Sequence, residues 1–169
     1  MQANKNNIVK GLQAHVGKSV VPTDTADRKP DYPYLSYKII NIKDKSGFAL
    51  VDEVVPSTTP GFEHDLKVTR KEQTHFTLSV SAYSMDDDEA RDLAIEAADW
   101  FTFHGYHYLA GCNIVVISVT AVTDRTARIV DDYEQRHGFD VRCRAARGIS
   151  KLLETIEEYN FTGNINLAP

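Results

Sequence analysis

At 169 residues and 19.0 kDa the chain suits one compact domain on one hydrophobic core, which argues against two full domains. With 42% hydrophobic and 25% charged residues it has the composition of a globular protein, not a disordered one. Nineteen basic against twenty-four acidic side chains leave a net charge of −5, which argues against a protein that grips nucleic acid over a broad face.

The longest apolar runs, such as residues 114–117, fall far short of the ~20 residues needed to cross a bilayer, so no membrane association is expected. The N-terminal Met-Gln-Ala-Asn-Lys-Asn-Asn has no apolar stretch behind its charge, which predicts synthesis without a secretory leader, in the cytoplasm. Ile8, Leu12, His15 and Val16 then follow helical spacing, and Gly17 is a natural residue to end the helix. Residues 18–33, with three prolines and little periodicity, read as an extended arm. From Tyr34 a first strand runs through Tyr37, Ile39, Ile40 and Ile42 to the turn at residues 44–47. A weaker apolar patch at residues 48–55 ends at Pro56, and residues 57–61 have turn chemistry.

Residues 66–83 give the clearest strand, with Phe76, Leu78, Val80 and Ala82 on one face and His75, Thr77, Ser79 and Ser81 on the other. Ser84 and the acids after it then start a helix over residues 86–104, with Ala90, Leu93, Ala94, Ala97, Trp100 and Phe101 as its apolar stripe and Gly105 at its end. That stripe is expected to pack on the Phe76–Ala82 face. Residues 114–122 and 139–145 read as paired strands joined by a polar connection containing Tyr133 and Gly138. Ile149, Leu152, Leu153 and Ile156 suit a helix, although residues 155–161 also suit a strand. The order predicts an α+β fold, a largely antiparallel sheet packed by a long helix, in a single domain: helix 1–17, arm 18–33, core 34–157, tail 158–169.

Gly17-Lys18-Ser19 suggests a phosphate loop, but Leu12 stands where the motif needs glycine and a helix precedes it where a strand should. Cys143 fills core space in an alternating strand, and an antiparallel register would hold Cys112 too far away for a disulfide. His104 and His107 flank Gly105 near Cys112, so a metal cluster with His137 can be imagined, although Gly105 breaks the helix between the two histidines. They define the alternative of a small metal-dependent hydrolase. Asp86, Asp87, Asp88 and Glu89 lack the alternating spacing of a cation loop and better serve the helix dipole. No nucleophile elbow, dinucleotide turn or catalytic cysteine signature occurs, so no enzyme activity and no cofactor are expected. Arg142, Arg144 and Arg147 form a basic strip, either a solvated strand face or a subunit contact answered by Asp131, Asp132 and Glu134 of a neighbour.

Three stretches together carry a resemblance: Tyr32-Pro-Tyr-Leu-Ser-Tyr-Lys38, the run from Phe76 through Ser-Ala-Tyr-Ser-Met-Asp-Asp-Asp to Ala90, and Asp132-Tyr-Glu-Gln-Arg-His-Gly-Phe-Asp-Val-Arg142. Over roughly residues 30–157 the chain resembles the neck or tail terminator proteins of tailed bacteriophages. The resemblance implies a structural virion protein that assembles as a homo-oligomeric ring, expected to be hexameric, capping the tail tube and joining it to the head connector. A head-completion or stopper protein would share this logic. In such a ring Tyr32 and Tyr34 of the arm, with Arg142 and Arg144, are expected at subunit contacts. Asp86, Asp87, Asp88 and Glu89 are the candidate acids of a channel through which DNA passes without specific binding.

Overall fold

The structure, a computed structural model, describes residues 2–24, 28–41, 47–61, 63–129 and 132–154. The chain divides into two compact units, one of residues 1–47 and 73–147, the other of residues 48–72 and 148–169.

In the first unit, helix α1 (Gln2–Val16) buries Ile8, Leu12 and Val16 and stops at Gly17, whose φ of 62° lies in the left-handed region that glycine tolerates. Strand β1 (Val20–Pro22) lies parallel to β2 (Tyr34–Asn41), with Val20 opposite Leu35. The expected arm therefore contains a strand. Three residues ending in proline are too few to show alternation, and β2 supplies the pairing.

β2 runs antiparallel to β4 (His64–Ser84), and with β8 (Asp132–Glu154) and β5 (Ile114–Val119) the main path of the sheet is β1-β2-β4-β8-β5. The alternation of Phe76, Leu78, Val80 and Ala82 is realised, all four being buried. Strands β5, β6 (Thr123–Asp124) and β7 (Ala127–Ile129) each pair with β8. Residues 132–138, expected as a polar connection, are thus strand, because β6 and β7 complete their backbone hydrogen bonds where the apolar pattern is missing. Residues 149–154 are strand as well; 155–161 fall outside the described residues. The β5–β8 register sets Cys143 opposite Val116, and both cysteines are free thiols.

The expected helix over 86–104 is α2 (Asp87–Asp99) running on into a π-helical turn (Trp100–His104), and Gly105 separates it from a further short helix, α3 (Tyr106–Gly111). At the turn, the Gly105 N–H donates to the Trp100 carbonyl at 2.7 Å, five residues back. Trp100 and Phe101 are both buried, as their spacing of seven residues from the buried Leu93 and Ala94 predicts. Phe101 meets Phe139 of β8 edge-on at 6.1 Å, whereas Trp100 meets Phe101, Tyr108 and α1 at Gly11. The stripe and the buried residues of the 76–82 strand face belong to one hydrophobic core cluster.

A Cβ on Gly11 would stand 2.4 Å from the Tyr108 ring and 2.8 Å from that of Trp100. Gly11→Ala should consequently destabilise the fold by about 1–3 kcal/mol despite alanine's better helix propensity, measurable as a lower urea midpoint.

In the second unit, β3 (Phe48–Pro56) pairs antiparallel with the first part of β4, from Phe48 opposite Glu72 to Pro56 opposite His64. The buried Asp65 closes the intervening turn by accepting from the Ser57 hydroxyl at 3.0 Å and the Thr58 N–H at 3.3 Å. Buried Glu72 is held by Arg70 at 2.9 Å, whose guanidinium also covers the Phe48 ring. Thr69 and Ser150 share a hydrogen bond of 2.9 Å, so the last part of β8 flanks β4 within this unit. Every residue of the hydrophobic core cluster belongs to the first unit. Among the described residues, no helix is long and apolar enough to cross a membrane.

Candidate functional site

Strand alternation gives the sheet of the first unit a second, polar face. On β4 it carries Ser79, Ser81 and Tyr83; on β8 it carries Glu134, Arg136 and Asp140. Arg125 bridges Ser79 at 2.9 Å and Asp140 at 3.1 Å, and Ser79 donates to the same carboxylate oxygen at 2.7 Å. Arg136 reaches the Ser81 hydroxyl at 3.2 Å and lies over the Tyr83 ring, which stacks parallel on Tyr34 at 4.9 Å.

The arm folds onto this face at Glu134. Its carboxylate accepts from Lys29 at 2.8 Å and from the Tyr32 hydroxyl, and it also hydrogen-bonds to Tyr34. Burial first, and the Glu134 charge second, push the Tyr34 phenol well above its ordinary range. Between arm and sheet remains a cavity of about 240 Å³ lined by Thr23, Arg28, Lys29, Tyr34, Ser36 and Glu134. Glu134→Ala leaves two tyrosine hydroxyls short of an acceptor and should cost about 1–3 kcal/mol, read by denaturant titration. Glu134→Gln should recover part of the loss.

The structure brings three of the expected interface residues, Tyr32, Tyr34 and Glu134, into one cluster within the chain. Asp131 and the side chain of Asp132 fall outside what is described. Arg142 is exposed and reaches His75 at 3.4 Å, and the half-buried Arg144 is opposite Val115. The four acids of the expected channel group are exposed but engaged. Asp86 caps α2 by accepting from the Glu89 N–H at 2.9 Å, Asp87 contacts His137 at 2.8 Å, Asp88 pairs with Arg91, and Ser84 donates to Glu89.

His104 stacks on His15 at 5.0 Å, and His107 meets Tyr106 edge-on. Among the described residues, no three His, Cys, Asp or Glu side chains gather where they could hold a metal ion. Lys29, Arg125 and Asp140 were not anticipated from the sequence. Their partners lie between 15 and 105 residues away, and the only hint is the hydroxyl-rich face of β4.

What this face offers is latching and polar recognition: paired charges, stacked phenols and an arm clamped at one carboxylate. A family model described as phage neck terminator protein matches residues 6–167. The chain belongs to the phage neck terminator proteins. Membership in this family makes it a structural protein of the virion neck that associates with other proteins of the phage head and tail. A search of curated proteins finds no match. The matched span takes in the neck terminator's arm, its polar face and both units.

Proposed function

We propose that this neck terminator forms a closed ring of six copies that caps the tail tube and joins it to the head connector, after assembly in the host cytoplasm. The family match over residues 6–167 carries this reading. Two features support it. β5, the end strand of the sheet order, reads Ile-Val-Val-Ile-Ser-Val, with neither the charge nor the proline that blunts a solitary edge. Tyr32 and the Arg142–Arg144 strip supply polar contacts between copies.

In this reading Asp86 to Glu89 face the passage, and DNA slides through without specific binding because each copy adds −5 of net charge. Light scattering on the purified chain should give a discrete mass several times 19.0 kDa, and electron microscopy should show an annulus. A monomer at every concentration would overturn the ring. Tight, sequence-dependent binding of duplex DNA at low salt would overturn the passive channel.

A further inference from the structure

Every residue lining the cavity of about 240 Å³ under the arm belongs to the first unit, and several of them are hydrogen-bond donors with nothing to donate to. Arg28 is exposed, lines the cavity and, among the described residues, makes no ion pair or hydrogen bond. Tyr83 also lines it and is 8% exposed, with its ring stacked on Tyr34 and covered by Arg136, yet its hydroxyl has no hydrogen-bond partner among the described residues. Ser36, 3% exposed, shares one hydrogen bond of 3.0 Å with Thr23. Two hydroxyls carry two protons and that bond uses one, so one O–H of the pair is left over.

The acceptor already present is spent. Glu134 takes hydrogen bonds from Lys29 at 2.8 Å, from Tyr32 and from Tyr34, so one carboxylate answers three donors. Lys29 is neutralised by that contact, and the lining, with two cations against one carboxylate, keeps the charge of Arg28. Buried donors facing a cavity are satisfied by water or by a ligand that brings acceptors.

An acceptor-only group with one negative charge matches this lining. The two oxygens of a carboxylate fit the planar fork of a guanidinium side by side and keep lone pairs for hydroxyl donors. A phosphate monoester or inorganic phosphate carries nearly two charges near neutral pH, and the excess would face Glu134. Size points the same way: pockets for drug-sized ligands occupy about 300–1,000 Å³, so this cavity suits an acid of side-chain size. Val21, Pro22 and Pro30 supply apolar wall for the methylenes that carry the carboxylate.

We infer that the cavity under the arm is a carboxylate-binding site, in which Arg28 pairs with the charge while Tyr83 and the Thr23–Ser36 pair donate to the oxygens. The carboxylate belongs to an acidic side chain of a protein partner or to a free small acid, and the site stands whether or not the chain forms a ring. The test is saturation-transfer NMR on the full-length protein, which reads weak ligands on a monomer and on a ring alike. The probes are butyrate and N-acetylglutamate amide, with butyramide and inorganic phosphate as controls. Both acids should bind saturably, butyramide should not bind, and phosphate should bind more weakly. Arg28→Gln removes the charge at an exposed position, and Tyr83→Phe removes one hydroxyl while keeping the ring. Each should keep the buried-tryptophan fluorescence of Trp100 and weaken both acids about tenfold or more. Arg28→Gln decides alone if Tyr83→Phe disturbs the fold. Tighter binding of the glutamate amide than of butyrate identifies a protein side chain as the source, and the reverse a free acid; either result supports the site. No saturable binding of either acid to the wild type, butyramide or phosphate binding as tightly as butyrate, or undiminished affinity in Arg28→Gln would overturn it.

Discussion

Trp100→Ala is expected to lower the unfolding free energy by roughly 3–5 kcal/mol, the largest loss for any single truncation proposed for this chain. Trp100 is 4% exposed, meets Phe101 edge-on at 4.8 Å, and is closed in by Gly11 and Gly105, where a Cβ would come within 2.8 and 2.6 Å of its ring. Its removal leaves a cavity that α1 and α3 cannot collapse into without losing their own packing. The π-helical turn, whose wider winding is held open by an inward tryptophan, should relax at the same time. Urea denaturation followed by circular dichroism measures the loss. A change under 1 kcal/mol would mean that the turn repacks as ordinary α-helix.

Stability should fall steeply at alkaline pH. Burial pushes the Cys143 thiol up to about 12 from 9.0, and burial with Glu134 raises the Tyr34 phenol from 10.0. Both groups are kept neutral by the fold, so the unfolded chain releases their protons first. Their contribution is whole below pH 9 and is lost as the pH rises toward the folded values, with a slope reaching about 1.4 kcal/mol per pH unit for each group. Urea midpoints between pH 8 and 11 should therefore decline. Tyr34→Phe should remove the part that begins near pH 10 and leave the part that begins near pH 9. Identical slopes for the variant and the parent would show that Tyr34 ionises as freely when folded as when unfolded.

Local chemistry was legible wherever one residue type decides the backbone. Gly17 ends α1, the acids after Ser84 start α2, and the alternation of Phe76 to Ala82 defines a strand with one buried face. Cys143 against the middle of β5 was legible for the same reason, since alternation fixes which side chains share a face. What stayed hidden depended on partners distant in sequence. β1 is a strand only because β2 lies beside it, and residues 132–138 only because β6 and β7 do. The break at Gly105 could be read, and so could the burial of both Trp100 and Phe101, which repeat the inward pair Leu93 and Ala94 seven residues on; the widened turn itself could not, since apolar spacing does not report which carbonyl an N–H reaches. At the polar face, Tyr32, Tyr34 and Glu134 stood out singly as contact candidates. That they meet one another within the chain follows from an arm folding back across about a hundred residues of sequence.

Because, among the described residues, every member of the hydrophobic core cluster lies in the first unit, the residues of that core and those exposed on β3 are separate sets. A substitution at Phe48, Leu50 or Val54 can change what the protein adheres to without drawing on the stability of its core. Mutation and selection can thus retune attachment in one part of the gene while the framework drifts under different constraints. Among relatives, divergence on β3 should therefore track changes in the surfaces it meets, and divergence at Trp100 or Phe139 should be paid for by compensating changes inside the chain.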